Sequence, residues 1–369
     1  MMRVVVIPAY KPDERLIHYA QALMARGFSQ IVVVDDGSGG EYAPIFEPVS
    51  RVQGVVLLRH PVNRGKGAAL KTAFAHLKQH LAEPAVIVTA DSDGQHAEQD
   101  VQRTAELLER HLPERTLALG VRDFSGENVP FKSRAGNRIT SVCFYLACRV
   151  KLSDTQTGLR AFSSDLLEEM LGIEGDRYEY EMRMLAYAAK NGIKLATCPI
   201  ETVYENNNEG SHFNPWRDSA RIYRALFGPV LKYFLASMAG TAVDFLAFYL
   251  LSALIFKRES ALDIAAATVL ARVLSAAANY LLNRDYVFKV RTPGSVVRYI
   301  LLALGTIAVS TAAVSLGVTL LHFVAGITGP FAHLEAIKTV LKAVADVLLF
   351  FVNYQLCRRW VFAPQKKKG

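Results

Sequence analysis

The first half of the chain alternates short apolar runs with longer stretches of helical spacing. The apolar runs are rich in Val and Ile, as in strands that are buried on both faces. The strand-like runs are 3–7, 30–34, 55–59 and 85–89, and the helical stretches are 13–26, 66–80 and 99–111. Strands that alternate with helices predict an α/β fold with a doubly wound, mostly parallel, Rossmann-like sheet. Ligands of such sheets bind at the carboxyl ends of the strands.

The second half, after Phe227, is dominated by four long apolar stretches with short polar breaks. They cover residues 233–256, 262–282, 299–324 and 334–356. Each is long enough to cross the ~30 Å hydrocarbon core of a bilayer, which takes about 20 helical residues. The breaks are too short and polar to favour buried core helices. The pattern therefore predicts an all-α transmembrane domain of four helices.

Basic residues cluster on one side of these predicted spans. They precede the first span, lie between the second and third, and follow the fourth: Arg217, Arg221, Arg224, Lys232, Arg284, Lys289, Arg291, Arg298 and 358–368. Lys and Arg favour cytoplasmic loops, and residues 1–9 do not resemble a signal peptide. We expect a multi-pass protein of the cell membrane with the soluble domain and both termini cytoplasmic. The net charge of +8 then suits a membrane surface, and no nucleic acid is needed to explain it.

The membrane half contains an internal repeat. The segment 279–288 (NYLLNRDYVF) recurs 74 residues later as 353–362 (NYQLCRRWVF). Each copy ends a pair of spans, which predicts two equivalent hairpins in the same orientation. Four ionisable residues fall inside the spans: Asp244, Arg272, Lys342 and Asp346. They favour interhelical pairs, and the alternative is a path for a lipid-linked sugar.

Two carboxylates stand two residues apart directly after the fourth strand-like run, in 89–96 (TADSDGQH). Asp91, Asp93 and the carbonyl of Gln95 could bind Mg²⁺ or Mn²⁺, which prefer oxygen ligands shared with substrate phosphates. Asp is also common in ordinary turns. The interpretation as a metal site therefore depends on the neighbouring strand ends.

Polar turns follow two other strands and should meet at the same rim. They are Pro8-Ala9-Tyr10 and Asp35-Asp36-Gly37-Ser38. An Asp after the second strand can accept hydrogen bonds from a ribose. The segment 63–69 (NRGKGAA) fails the P-loop pattern, but a Gly-rich helix start with Lys66 favours an anion.

Six motifs in order give the chain a family resemblance. They are 6–10 (VIPAY), 34–38 (VDDGS), 63–67 (NRGKG), 91–96 (DSDGQH), 120–122 (GVR) and 154–160 (DTQTGLR). Together they resemble the family-2 glycosyltransferases of the dolichol-phosphate-mannose-synthase-like branch, over residues 3 to 225. The resemblance implies a GT-A fold, a nucleotide-sugar donor, a divalent metal (Mg²⁺ or Mn²⁺) and a polyprenyl-phosphate acceptor, undecaprenyl or dolichyl.

Residue by residue, the resemblance implies a donor site, a metal site and an acceptor site. The residues implied for the nucleotide sugar are Pro8, Ala9, Tyr10, Glu14, Asp35, Asp36, Lys66, Asp91, Ser92, Gln156, Arg160 and Glu179. Those implied for the metal are Asp91, Asp93 and Gln95. The segment 131–138 resembles the family's acceptor loop, and the residues implied for the lipid phosphate are Arg122, Lys132, Arg134 and Arg138. A solvated basic turn is the alternative for this segment.

These expectations combine into one functional hypothesis. Asp93, Arg122 and Arg134 are the expected catalytic residues of an inverting transfer of a monosaccharide, from a donor of the UDP-glucose or GDP-mannose class, to polyprenyl phosphate. The expected domains are a GT-A domain at 1–212, an interfacial amphipathic helix at 213–229 and a GtrA-like domain at 230–363, which the 279–288 repeat resembles. Translocation of a lipid-linked sugar is the alternative function. A processive synthase is disfavoured, because the chain lacks the Gln-x-x-Arg-Trp motif. The sugar, the lipid chain and self-association stay open.

Overall fold

The computed structural model describes residues 1–124, 129, 131–201, 215–255, 260–325 and 334–363. Side chains are described for these residues except 131–132, 215–216, 314, 318, 321–325 and 334–339. The chain divides into two compact units, Met1–Phe227 and Gly228–Gly369. We call them the first unit and the second unit.

The first unit is built on a seven-stranded sheet within the described residues. The strands are β1 (Met2–Ala9), β2 (Gln30–Asp35), β3 (Val55–Arg59), β4 (Ala85–Thr89), β5 (Thr116–Arg122), β6 (Arg160–Ser163) and β7 (Lys194–Ile200). Their spatial order is β3-β2-β1-β4-β6-β5-β7. All pairings are parallel except those of β6, which runs antiparallel to β4 and β5. The predicted mostly parallel sheet is confirmed. The four predicted runs correspond to β1 to β4, whereas β5, β7 and the reversed β6 are additions to the prediction.

Helices cover both faces of this sheet. They are α1 (Arg15–Ala25), α2 (Ala43–Ser50), α3 (Lys66–His80), α4 (Glu98–Glu109), α5 (Phe131–Cys148), α6 (Leu167–Leu171) and α7 (Glu179–Lys190). Successive strand side chains point to opposite faces, so Val4 and Val6 of β1 join one buried cluster with α3 and α7. Val5 and Ile7 join the other cluster, with α1 and α4. This double burial explains why the strands are uniformly apolar.

Long helices form the remainder of the described chain. They are α8 (Pro215–Leu254), α9 (Ala261–Leu282), α10 (Ser295–Ala325) and α11 (Leu334–Leu356). Four described segments are long and apolar enough to cross a membrane: Arg217–Leu254, Ala261–Val287, Ser295–Gly317 and Val340–Val361. The four predicted spans are thus confirmed as helices of spanning length.

The first turns of α8 carry the segment predicted to lie in the membrane interface. Ile222 and Leu226 of this segment are buried in the first unit, in the cluster that contains α7. The predicted amphipathic helix has Trp216, Ala220, Tyr223 and Phe227 on its apolar face. Of these, Ala220 is exposed, and the side chain of Trp216 lies outside the described residues. Another face of this segment, with Ile222 and Leu226, is thus the one buried by protein, and an interfacial role for 213–229 stays a prediction.

The internal repeat is reproduced in the second unit. A π-helical turn follows α9 at Asn283–Val287 and recurs after α11 at Cys357–Val361, at the repeat distance in sequence. Phe288 and Phe362, which end the two copies, stack with ring centroids 5.1 Å apart. Each also contacts the repeated tyrosine of the other copy: Tyr280 lies 5.8 Å from Phe362, and Tyr354 lies 6.0 Å from Phe288. The two copies therefore contact each other in a nearly symmetric way.

Candidate active site

A cleft of 670 Å³ opens where strands β1, β2 and β4 end. It is the rim at which the sequence predicts ligand binding. The lining residues are Pro8, Ala9, Tyr10, Lys11, Pro12, Asp13, Arg15, Asp36, Asn63, Gly65, Lys66, Asp91, Ser92, Asp93, Arg177 and Tyr178. Carboxylates and cations alternate along this wall, which suits a ligand that carries phosphates and a sugar.

A buried lysine joins two carboxylates in this cleft. The Nζ atom of Lys66 lies 2.7 Å from Oδ1 of Asp91 and 3.0 Å from Oε1 of Glu181. Burial lowers the pKa of Lys66, but the charges of Asp91 and Glu181 raise it more, so the pKa lies above its ordinary value. The ammonium group is therefore held charged between α3, the turn after β4, and α7.

The two carboxylates of the Asp-x-Asp pair have opposite pKa shifts. Burial raises the pKa of Asp91, but Lys66 and His96 lower it more, so it lies well below its ordinary value. The Nε2 atom of His96 lies 3.4 Å from Oδ2 of Asp91. Burial and the neighbouring charge of Asp91 raise the pKa of Asp93. Of the two carboxylates, Asp93 is therefore the one whose negative charge the neighbouring cations stabilise less.

A second close approach fixes Asp91 from the side of β6. A Cβ atom added to Gly158 would lie 2.6 Å from Oδ2 of Asp91, so a larger residue there would displace the carboxylate. The carbonyl of Gly158 accepts a hydrogen bond from Oγ1 of Thr89, at 2.7 Å. Because β6 is antiparallel, its first residues stand on the same rim as the end of β4. The 154–159 turn is thereby placed against the carboxylate pair.

Arg160 lies behind this turn and not in the cleft. Its side chain is 1% exposed, and its guanidinium group donates to the carbonyls of Thr157 and Glu181. The residue thus joins the Gly158 turn to α7. Arg160 was expected to contact the sugar, but it is not among the residues that line the cleft. Its guanidinium group instead supports the backbone carbonyl of Glu181.

Part of the amino terminus of α3 is used for contacts within the protein. The backbone N–H groups of Arg64 and Gly65 donate to the carboxylate of Asp36, and that of Ala68 donates to the carbonyl of Asp176. A Cβ atom at Gly67 would lie 2.6 Å from Cβ of Tyr180. The glycines of 63–69 therefore permit close packing against the 176–180 turn. An anion site at Lys66, which lines the cleft, stays a prediction.

Asp36 is occupied by these contacts within the protein. Its carboxylate also lies 2.7 Å from Nδ1 of His60, whose Nε2 atom lies 2.8 Å from Oγ1 of Thr72. The neighbouring carboxylate of Asp35 accepts from the N–H of Ser38, at 2.9 Å. Both aspartates therefore shape the loops of the donor cleft, and Asp36 also lines it.

Asp91 and Asp93 suit a divalent cation that is completed by substrate oxygens. In the part of the chain that the structure describes, no group of three or more His, Cys, Asp and Glu side chains could hold a metal by itself. Two carboxylates plus phosphate oxygens are the usual donor set of Mg²⁺. Burial and the charge of Asp91 raise the pKa of Asp93. A bound cation would stabilise the ionised form of Asp93 and so oppose this shift. Gln95 uses its N–H to donate to Asp93, at 3.0 Å, and it does not line the cleft.

The predicted acceptor cations lie on different parts of the first unit. Arg122 at the end of β5 is bound by the buried Asp154, with Nε 2.7 Å and Nη2 3.1 Å from its two carboxylate oxygens. Arg134 and Arg138 are exposed, one turn apart on α5. The segment 131–138, predicted as a loop before a helix, is the first part of that helix. The side chain of Lys132 lies outside the described residues.

The structure thus brings together part of the predicted donor site. Pro8, Ala9, Tyr10, Asp36, Lys66, Asp91, Ser92 and Asp93 line one cleft. Glu14, Asp35, Gln156, Arg160 and Glu179 are not among its lining residues. The sequence analysis did not predict that Glu181 contacts Lys66 or that His96 contacts Asp91. It also did not predict that Arg15 and Arg177 line the cleft. Glu181 is ninety residues from Asp91, so no local pattern could reveal its contact.

Comparisons with known proteins match the two halves separately. Residues 4–171 match the glycosyl transferase family 2 model, and residues 232–362 match the GtrA/DPMS transmembrane domain model. An uncharacterized protein of Methanocaldococcus jannaschii is 34% identical over 206 residues, which cover 54% of this chain and 81% of that protein.

Two further relatives have named activities. The UDP-N-acetylglucosamine–dolichyl-phosphate N-acetylglucosaminyltransferase of Methanococcus voltae is 26% identical over 54% of this chain and 84% of its own. The polyprenol monophosphomannose synthase of Mycolicibacterium smegmatis is 24% identical over 53% of this chain and 75% of its own. Both similarities span about the length of the first unit.

Proposed function

Because the chain belongs to glycosyl transferase family 2 and carries a GtrA/DPMS transmembrane domain, we propose that it transfers one monosaccharide from a nucleotide sugar to polyprenyl phosphate. The relatives named for dolichyl phosphate and for polyprenol support the acceptor class. The observation that carries the proposal is the cleft in which Asp91, Asp93 and Lys66 meet at the rim of the sheet.

We propose that this cleft holds the donor, with its diphosphate at Asp91, Asp93 and Lys66. A Mg²⁺ or Mn²⁺ ion bound by the two carboxylates would offset the negative charge of the departing nucleoside diphosphate. Lys66 supplies a fixed positive charge beside the same carboxylates. Tyr10 and Tyr178 line the cleft and offer flat surfaces to a base or a sugar. These groups act by orientation and by electrostatics.

The acceptor phosphate needs no strong general base. A phosphate monoester has a second pKa of about 6, so at neutral pH its oxygen is already a nucleophile. We propose that Arg134 and Arg138, exposed on α5, attract this dianion, and that Lys132 takes part. Arg122 is bound in a bidentate pair with Asp154, so we assign it the role of fixing the 154–159 turn. Direct displacement by the phosphate oxygen inverts the anomeric carbon.

We further propose that the cleft faces the cytoplasm. The Lys and Arg residues next to the ends of the predicted spans support this orientation, because residues 217–232 and 284–298 are rich in them. The cytoplasm also contains the nucleotide sugars, and the leaflet that faces it has a negative surface potential. The protein would then be a multi-pass protein of the cell membrane.

The experiment that tests the proposal follows labelled sugar into lipid. The full chain in detergent is incubated with undecaprenyl or dolichyl phosphate, Mg²⁺ or Mn²⁺, and UDP-glucose, GDP-mannose or UDP-N-acetylglucosamine in turn. We expect one donor to label the organic phase, with loss of the label on chelation and in Asp93→Asn. Asp165→Asn is the control, because Asp165 is exposed after the far end of β6 and should leave transfer unchanged.

Two outcomes would contradict the proposal. One is a folded protein that binds the nucleotide sugars but labels no lipid with any of them. The other is transfer that survives both chelation and Asp93→Asn, since the carboxylate pair would then have no part in the reaction. If the protein instead translocates a lipid-linked sugar, the unchanged protein and Asp93→Asn should move preformed sugar-lipid across vesicle membranes equally well.

A further inference from the structure

Two ionised residues occupy equivalent positions in the repeat, in the middle of their spans. Arg272 precedes the end of α9 at Leu282 by ten residues, and Asp346 precedes the end of α11 at Leu356 by the same number. At 1.5 Å per residue this places both about 15 Å from the helix end. A bilayer core is about 30 Å thick, so both side chains fall near its midplane.

These side chains are not covered by their own chain. The exposed fraction is 75% for Arg272, 50% for Asp346, and 63% for Lys342, one turn before Asp346 on α11. Ionisable groups at this depth are costly and almost always face protein or a water-filled cavity. Their exposure in a single chain therefore indicates that something other than lipid covers them.

Each of these groups has a partner of opposite charge within the chain, but the pairs stay exposed. Arg272 lies 3.4 Å from Oδ2 of Asp244 on α8. Asp346 lies 2.8 Å from Nζ of Lys342 and accepts a hydrogen bond from Ser310, at 3.0 Å. Asp244 is the better covered partner, with 14% of its side chain exposed. The exposed groups are thus Arg272 on α9 and the Lys342–Asp346 pair on α11.

The helices that carry these groups stand at opposite corners of the four-helix arrangement. α9 contacts α8 through Ser275, which donates to the carbonyl of Gly240, and contacts α10 through Tyr280 and Tyr299. α11 contacts α10 through Asn353 and Thr306, and contacts α8 through Tyr354 and Tyr233. Each of the two helices therefore has α8 and α10 as neighbours.

We define the Arg272 face as Val269, Arg272 and Val273, and the Asp346 face as Lys342, Ala343, Asp346 and Val347.

We propose that the second unit binds a second copy of this chain, with the Arg272 face of one copy against the Asp346 face of the next. Both faces lie at the same depth in parallel helices, so the guanidinium group of one copy meets the carboxylate of its neighbour without vertical displacement. The valines beside each charge, Val273 and Val347, are more than half exposed and supply the apolar contact around the pair.

The opposite signs of the two equivalent positions support this partner. Each face already carries an ion pair, Arg272 with Asp244 and Lys342 with Asp346. In a medium of low dielectric constant the two pairs attract each other when Arg272 lies next to Asp346, whereas two identical charges at the repeated position would repel. Because the two faces differ and lie at opposite corners, the contact is heterologous: it joins unlike surfaces and leaves one face of each terminal copy open. That property separates it from a two-fold dimer.

The test measures the mass of the full chain in lipid nanodiscs by light scattering. One variant, Arg272→Leu with Asp244→Leu, removes the first face together with its local partner, so no unpaired charge remains. The other variant, Asp346→Leu with Lys342→Leu, removes the second face. We expect two or more chains of 40.7 kDa per particle in the unchanged protein, and one chain in each variant. Co-expression of the two variants with different tags should give two-chain particles and none larger, since one intact interface remains.

The control is Phe245→Leu with Ile307→Leu, two exposed residues of α8 and α10, which should keep the mass of the unchanged protein. The helix content of every variant is checked by circular dichroism. If a double variant loses helix, the nearly isosteric Asp346→Asn takes its place, and the same loss of mass is expected. One chain per particle in the unchanged protein would overturn the proposal. So would wild-type mass in either double variant, or failure of the two folded variants to associate when co-expressed.

Discussion

The cleft of the first unit and the spans of the second unit both hold ionised side chains away from water, and they stabilise them differently. In the cleft, Lys66 is held between Asp91 and Glu181, which come from two distant segments. In the spans, Arg272 pairs with Asp244 across two helices, and Lys342 pairs with Asp346 on one helix. The cleft network joins loops across the sheet, whereas the pairs in the spans are local.

This difference has a physical origin. A buried charge costs several kcal/mol of desolvation, which is offset only by partners in good geometry. The sheet gathers such partners because its parallel strands end at one rim. A helical hairpin offers only the residues at the same height on its neighbour, so its pairs have fewer contacts and leave Arg272 exposed. Removing one residue should therefore have a large effect in the cleft and a small one in the spans.

The largest effect should come from filling the space beside Asp91. In Gly158→Ala, the new Cβ atom would meet the Asp91 carboxylate at 2.6 Å, so the carboxylate must move. A displacement of about 1 Å in a reacting geometry can cost on the order of 100-fold in rate. We expect a loss of sugar transfer of that size. The control is Gly40→Ala, where a Cβ atom would meet nothing within 4 Å, and equal rates for the two variants would contradict this account of Asp91.

The next effect is on stability, when the charge between the two carboxylates is removed. Lys66→Met leaves Asp91 and Glu181 without their shared cation, and breaking such a buried contact costs about 3 kcal/mol. We expect a clearly lower thermal midpoint of the first unit, followed by intrinsic fluorescence. Lys71→Met is the matched control on the same helix, because its partner Asp176 is 68% exposed and a surface pair contributes less than about 1 kcal/mol. Similar losses in both would show that the cleft network is no stronger than a surface pair.

A smaller effect is expected for a hydrogen bond between the spans. Oγ1 of Thr306 on α10 lies within hydrogen-bond distance of two acceptors: the carbonyl of Leu302 on its own helix, at 2.8 Å, and Oδ1 of Asn353 on α11, at 2.9 Å. Such bonds contribute about 0.6 kcal/mol on average in membrane proteins, so Thr306→Val should lower the thermal midpoint only slightly. Thr311→Val removes a hydroxyl that bonds to its own helix at Ile307 and should have less effect. A loss as large as that of Lys66→Met would remove the contrast between the two units.

The smallest effect concerns pH and a buried carboxyl outside the cleft network. Burial raises the pKa of Asp100 at the start of α4, although the N–H of Glu201 and the charge of Arg103 partly oppose the shift. A carboxyl whose pKa is raised on folding binds its proton more tightly when folded, so its contribution to stability improves as the pH falls through that raised pKa. Asp100→Asn should remove this gain, which develops between the raised pKa of Asp100 and the usual carboxyl pKa of about 3.9. Thermal midpoints of both proteins over this range measure the difference, and parallel curves would count against the assignment.

The strands and spans could be predicted because their signals are local. The Val- and Ile-rich runs at 3–7 and 85–89 fall within β1 and β4, and the four apolar stretches fall on α8 to α11. Three strands were not predicted. β5 (TLALGVR) and β7 (KLATCPI) contain fewer Val and Ile residues than β1. β6 has only four residues, Arg160–Ser163, and its direction depends on pairing with β4 and β5. Element boundaries at the polar 131–138 segment were wrong for a related reason: its charges favour a loop, but the helix extends through them.

The candidate site was predictable only where one short segment carries the chemistry. Asp91 and Asp93 follow a strand, so the strand end alone places them. At the start of α3, Asp36 and the carbonyl of Asp176 accept from three of the N–H groups that the sequence offered to an anion. Both partners come from other segments, and a sequence pattern does not show which distant residue fills a loop. Glu181 was not predicted as the partner of Lys66 for the same reason.

The reversed direction of β6 also bears on how such a protein can change during evolution. Since β5 ends and β6 begins on the same rim, the segment between Arg122 and Arg160 leaves the sheet and returns to it at one place. That segment includes α5 with Arg134 and Arg138. The part of it before Asp154 can change in length without altering a strand pairing, whereas the 154–159 turn is constrained by the contact of Gly158 with Asp91. The segment proposed to attract the acceptor can therefore diverge while the strands that carry the donor cleft stay the same.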